Sequence, residues 1–154
     1  MNKFYALIIS LFLISTTGCV YFTSIPAEEQ KDTGFVPVVG YESLHFFSSG
    51  KDGLSKPLRV YSDSFGINSA DWIWYELIIK NDSESDGKIL FGEVWSDGNG
   101  NVISRTDKEM VLRTKDDFLE YTAGIKTDWK KGYYELNLFV DSLKIAGKEF
   151  QIVN

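Results

Sequence analysis

The chain of 154 residues carries one cysteine, one histidine and three prolines. A single cysteine excludes a disulfide within one molecule and a cluster of thiolate metal ligands. A single histidine, His45, leaves zinc sites and Ser-His-Asp catalysis short of the side chains they draw on. His45 stands between Leu44 and Phe46, in a stretch that reads as a strand, so a half-exposed structural role is expected. Basic residues are in deficit, with 16 Lys and Arg against 22 Asp and Glu, a net charge of −6. Phosphate recognition needs clustered Lys and Arg, so this balance argues against nucleic acid as a partner. No spacing singles out a carboxylate pair for glycoside hydrolysis, and no hydroxyl nucleophile can be tied to a base. The reading is therefore of a chain that is not an enzyme and needs no cofactor. A long apolar run is missing too: Phe4–Ile14, broken by Ser10, is about eleven residues, against the ~20 that a membrane-spanning helix needs.

That short run still carries information. Met1-Asn2-Lys3 is a polar start with one positive charge, and Ser15-Thr16-Thr17-Gly18 are small residues ending at Cys19. A charged start, a short apolar stretch and then small residues form a secretory signal. Thr16-Thr17-Gly18-Cys19 resembles the cleavage box of bacterial lipoproteins, with threonine at 16 where that family usually has leucine. The resemblance implies cleavage between Gly18 and Cys19, a thioether-linked diacylglycerol on Cys19 and acylation (palmitate) of the new amino terminus. Two or more chains turn marginal membrane attachment into lasting attachment. Val20, rather than aspartate, follows the cysteine, which in the family leans toward the outer membrane. The implied location is the bacterial cell envelope.

Residues 1–18 are thus expected as a signal peptide, 19–34 as a tether and 35–154 as one folded domain, a length that supports an unaided core. Val20–Thr33 has no sustained period of 2 or 3.6 and contains a charged patch at Glu28-Glu29-Gln30-Lys31-Asp32, consistent with a tether. Strands and turns follow. Tyr41–Ser48 is a strand, and Ser49-Gly50-Lys51-Asp52-Gly53 a turn. Leu58–Tyr61 reads as a short strand with Pro57 at its start. In Asp71–Lys80, Ile73, Tyr75, Leu77 and Ile79 share one face, and Trp72, Trp74, Glu76 and Ile78 the other. Both faces are largely apolar, so a central strand, covered on both sides for part of its length, is expected. Lys88–Ser96 is the next strand, and Asp97-Gly98-Asn99-Gly100-Asn101 a hairpin turn. Val102–Arg105, Glu109–Arg113 and Phe118–Thr122 read as strands, with a helix within Asp107–Tyr121 as the alternative. Tyr133–Val140 alternates, Asp141-Ser142 turns the chain, and a break at Ala146-Gly147 precedes a last strand at Phe150–Ile152. The final hairpin, with Val94-Trp95-Ser96-Asp97-Gly98 before it, resembles the last strands of immunoglobulin-like modules in secreted bacterial proteins. The fold class is all-β: an immunoglobulin-like antiparallel β-sandwich behind a signal and a flexible tether.

Two groups of side chains are candidates for chemistry. Asp82, Glu84, Asp86 and Glu93 fit positions 1, 3, 5 and 12 of a calcium loop, with Gly87 at position 6. The helix that should follow is absent, because Lys88–Trp95 reads as a strand, and a solvated hairpin loop is the competing reading. Asp97, Asn99 and Asn101 repeat the spacing without the glycine. Aromatic residues, 15% of the chain, make the second group. Trp72, Trp74, Trp95, Trp129, Tyr133 and Tyr134 are able to form a platform for a protein partner or a glycan. For Trp72–Tyr75 the apolar strand favours the core instead. Trp129, in a turn beside Lys130 and Lys131, is expected to be exposed, and with Tyr133 it is the candidate partner contact. The function these features imply is a lipid-anchored envelope binding or accessory protein with a protein partner. An inhibitor that inserts a loop into an enzyme's cleft and a glycan-acting enzyme are the alternatives.

Overall fold

The computed structural model describes residues 37–69 and 71–154. Cys19, the Gly18–Cys19 bond and the expected tether lie outside the described residues.

The described residues form eight strands: β1 (Val39–Ser49), β2 (Ser64–Gly66), β3 (Trp72–Asn81), β4 (Gly87–Asp97), β5 (Val102–Leu112), β6 (Phe118–Lys126), β7 (Gly132–Val140) and β8 (Leu143–Val153). They form a three-stranded sheet in the order β1-β3-β6 and a five-stranded sheet in the order β2-β8-β7-β4-β5. All pairings are antiparallel except β2 with β8. Strands β4, β7 and β8 lie in one sheet and β1, β3 and β6 in the other, an immunoglobulin-like division.

Alternation decides which side chains meet between the sheets. Ile73, Tyr75, Leu77 and Ile79 on β3, with Phe46 on β1, are fully buried. They face Ile89, Phe91 and Trp95 of β4, Leu136 and Leu138 of β7, and Phe150 and Ile152 of β8. Phe46 and Phe150 approach to 4.8 Å between ring centroids, and Phe91 and Tyr121 to 5.0 Å. Each such burial stabilises by roughly 1.5–3 kcal/mol. At the start of β7 the Tyr134 hydroxyl donates to Lys130 O (2.8 Å) and accepts from Lys130 N (3.0 Å). This is the tyrosine corner of immunoglobulin-like sandwiches.

Three sequence expectations change. Leu58–Tyr61 is not a strand. Lys56–Leu58 is a 3-10 turn, and Tyr61 makes one isolated bridge to Phe47. The segment runs as a strap across the outside of the three-stranded sheet, where its side chains bond to that sheet rather than its backbone to a neighbour. Val102–Arg105 and Glu109–Arg113 are one continuous strand, β5, with no helix in 107–121. An edge strand can carry Arg105, Asp107, Lys108 and Glu109 in its middle because those side chains reach water. Finally, Ala146-Gly147 is no break: β8 continues, with Gly147 paired to Asn137.

Candidate functional site

The outer face of the three-stranded sheet carries the residues that alternate with the core. On β3 these are Trp72, Trp74, Glu76 and Ile78. Trp74 lies flat over Gly124 of β6, where a built Cβ would stand 2.5 Å from the ring. Its indole N–H donates to Gly50 O (3.2 Å). Gly53, with a φ of +68°, brings the loop after β1 against the other rim of the same ring. Phe47 stacks with Trp74 at 6.3 Å and 15°, and so does Trp72 at 5.8 Å and 26°. Phe47 is fully buried, whereas both tryptophans are half-buried. The result is a fixed aromatic ledge, rimmed by Ser49 and by the Lys126–Asp71 ion pair (2.9 Å).

The strap bounds this ledge. Arg59 places its guanidinium 5.1 Å above the Phe47 ring and pairs with the buried Glu76. The Tyr61 hydroxyl donates to the same carboxylate (2.8 Å), and Lys56 bridges Glu120 (2.9 Å) and Glu76 (3.6 Å). Burial pushes the Glu76 carboxyl up, but the Tyr61 hydroxyl and the Arg59 guanidinium outweigh it and hold the group below the usual carboxylate range. His45 packs on Tyr61 at 5.1 Å. Each charge in this cluster already has a partner, so the cluster fastens the strap and leaves Glu76 unavailable as a base.

A second carboxylate sits between the sheets. Glu93 occupies an inward position of β4, between Phe91 and Trp95, and is 5% exposed. The Tyr121 hydroxyl donates to it (3.2 Å). The Tyr75 hydroxyl and Trp95 indole N–H are near enough to stabilise its charge, yet both lack a hydrogen-bond partner. Burial raises the Glu93 carboxyl above its ordinary value against these donors and Lys108. Burial and the Glu93 charge push Tyr121 up to about 12, and Tyr75 higher still.

The calcium-loop candidates do not gather. Asp82 pairs with Lys80 (2.9 Å). Glu84 is exposed. Asp86 accepts from the Thr114 N–H (2.7 Å) and hydroxyl (3.0 Å), which hold its carboxyl low. Glu93 points into the core. Asp97 accepts from Asn101 Nδ2 (2.8 Å) and from the N–H groups of Asn99 and Asn101 (2.9 Å each), which braces the hairpin turn. Among the described residues no group of three or more His, Cys, Asp or Glu side chains is placed to hold a metal ion.

Trp129 is a correction: it is buried, not exposed. Its ring stands edge-on to Tyr134 (5.0 Å) and Phe150 (5.5 Å) and closes one end of the core. A turn position suggested exposure, but the tyrosine corner pulls residues 129–130 onto the sheet. Tyr133 is 64% exposed, as its alternation with Tyr134 requires. Trp95 and Tyr134 are core. Trp72 and Trp74 are not: Tyr75 is buried, while its tryptophan neighbours lie on the outer face. Arg59, Lys56 and Glu120 carried no sequence signal, because nothing local ties them to Glu76.

No family model matches this chain, and no curated protein sequence matches it. Solved structures do resemble it. The C-terminal domain of wzt superposes with a TM-score of 0.53 at 11% identity, over 79% of this chain and 80% of that one. The alkylpurine DNA glycosylase AlkC of Pseudomonas fluorescens gives 0.52 at 11% identity, over 75% of this chain and 30% of that one. The β-glucosidase of Listeria innocua in complex with gluconolactone gives 0.52 at 11% identity, over 78% and 16%. The chain thus spans under a third of the glycosylase and about a sixth of the glucosidase. At this identity the likeness is one of fold.

Proposed function

We propose that this chain is a lipid-anchored binding module of the bacterial cell envelope, and that its binding surface is the outer face of the three-stranded sheet. The observation that carries the reading is the aromatic ledge. Trp74 is held half-exposed by Gly124, Gly53 and Gly50, and Trp72 stacks on it, so a ligand meets rings already ordered. Flat, nearly parallel indoles suit the apolar face of a sugar ring, and Ser49, Lys126 and Asp71 supply hydrogen-bonding groups beside it. An envelope glycan is therefore the ligand class. We place no reaction here, because Glu76 is committed to Arg59 and Tyr61, and Glu93 is enclosed between the sheets. The signal and Cys19 supply the address. The test is tryptophan fluorescence of the full chain titrated with soluble peptidoglycan fragments and with lipopolysaccharide-derived polysaccharide. Saturable quenching that Trp72→Ala abolishes is expected. Quenching that survives in Trp72→Ala, or none with either glycan, overturns the reading. Loss of palmitate label in Cys19→Ser tests the anchor separately.

A further inference from the structure

Among the described residues the two sheets end in four edge strands, and three of them are guarded. β1 carries a bulge between Tyr41 and Ser43 and is bridged by Tyr61. β2 has three residues. β5 bears Arg105, Asp107, Lys108 and Glu109 in its middle. Such devices stop edges from pairing with other chains. β6 has neither bulge nor backbone bridge, and its two charges, Glu120 and Lys126, flank its centre rather than occupy it. It runs nine residues in unbroken register with β3, without proline or bulge. Its stretch Tyr121-Thr122-Ala123-Gly124-Ile125 is uncharged, and no described residue pairs with its outer side. Beside that edge a cleft opens, lined by Trp72, Gly124, Ile125 and Lys126 on one wall and by Ile103 and Ser104 of β5 on the other. At the far end of β6, Phe118 is 55% exposed.

We propose that β6 pairs antiparallel with β6 of a second copy of this chain, joining two three-stranded sheets into one. The sequence of the strand is complementary to itself when the two-fold axis passes through Thr122, the midpoint of Phe118–Lys126. Leu119 then faces Ile125 of the other copy, and Tyr121 faces Ala123, large against small, on the core side. On the outer side Phe118 meets Lys126 beside Trp72, at the mouth of the cleft, which gives the exposed ring an apolar neighbour. Glu120 lies diagonal to Lys126, twice by symmetry. A closed two-fold pairing of this kind uses up both open edges and stops at the dimer.

The test places a cysteine on the axis. Opposed residues of antiparallel strands have Cα atoms about 4.5–5.5 Å apart, within disulfide range. The full chain carrying Thr122→Cys, oxidised in cells with copper phenanthroline, is expected to run mostly as a covalent dimer on a non-reducing gel. The unaltered chain, which has Cys19 alone, and a Thr106→Cys variant on the guarded β5 edge are expected to run at the single-chain position on that gel, without a covalent link. Dimer no more abundant in Thr122→Cys than in Thr106→Cys overturns the proposal. Sedimentation of the unaltered protein in detergent gives an independent reading: twice the mass of the single chain, as that mass is found by mass spectrometry, is expected, and a monomer at high micromolar concentration overturns it.

Discussion

Glu93 stands where the alternation of β4 calls for an apolar side chain, and its energetics follow from that placement. Burial disfavours the charged carboxylate, and no described cation bonds to it directly. Its pKa in the folded protein is therefore above its unfolded value of about 4.3. The folded state then holds the proton more tightly than the unfolded state does. Stability is fully present below the unfolded pKa and is lost as pH rises through the folded pKa. Glu93→Gln removes the charge, keeps an acceptor for Tyr121 and offers its amide N–H to the unpartnered Tyr75 hydroxyl. The variant is expected to melt several degrees higher than the parent at pH 7.5, and the gap to close below about pH 4, where the parent is protonated too. Melting curves across that range check it; a variant less stable at every pH shows the carboxylate to be a stabilising acceptor instead. In the sequence Glu93 stands out as the last residue of a calcium-loop pattern. Its burial was legible in the period of two along β4, which the loop reading set aside.

At the scale of elements, local chemistry that a sequence displays openly was realised as expected. The two faces of β3 separate as its alternation requires, and the Asp97–Asn101 turn forms with Gly100 at a φ of +83°. Asp141-Ser142 turns the chain between β7 and β8, but with both residues at positive φ, +47° and +70°. Asp141 has a reason to be there: its carboxylate accepts from Leu90 N (2.7 Å) and its own N–H donates to Leu90 O (2.9 Å). Ser142 has none, and a side chain in the left-handed region costs about 1–2 kcal/mol, partly offset in glycine by the entropy of the unfolded chain. Ser142→Gly creates an Asp-Gly turn and is expected to stabilise the domain by roughly 0.5–1 kcal/mol, read as a higher urea midpoint at unchanged slope. What the sequence hid were elements defined by distant partners. The strap at 54–61 shows two apolar residues around Arg59 and mimics a strand, yet it is held by Glu76 and Glu120 on other strands. The small residues Ala146 and Gly147 mimic a break, whereas Gly147 lies within the ladder opposite Asn137, and glycine suits that position because a Cβ there would stand 2.8 Å from Asn137 Oδ1.

At the scale of the whole molecule, the inner face of each sheet is covered, among the described residues, by the other sheet. Phe46, Tyr75 and Tyr121 of one sheet pack on Phe150, Trp95 and Phe91 of the other. Separating the sheets would expose all of them at once, so partial unfolding of one sheet has no stable product. The pairing is also distant in sequence: Ser64 lies beside Gln151, and Val39 opposite Asn81. Loops that long must close before any contact compensates for their lost entropy, which places folding in the range of milliseconds to seconds. Both consequences are measurable on the full chain in detergent. Far-ultraviolet circular dichroism, which follows the strands, and tryptophan fluorescence, which follows Trp95 and Trp129 in the core, are expected to give one coincident urea transition. Refolding by stopped-flow fluorescence is expected to show a main phase slower than about a millisecond. Two separated transitions would mean that one sheet holds together without the other, and the shared core described here would then not be what sets the stability of the domain.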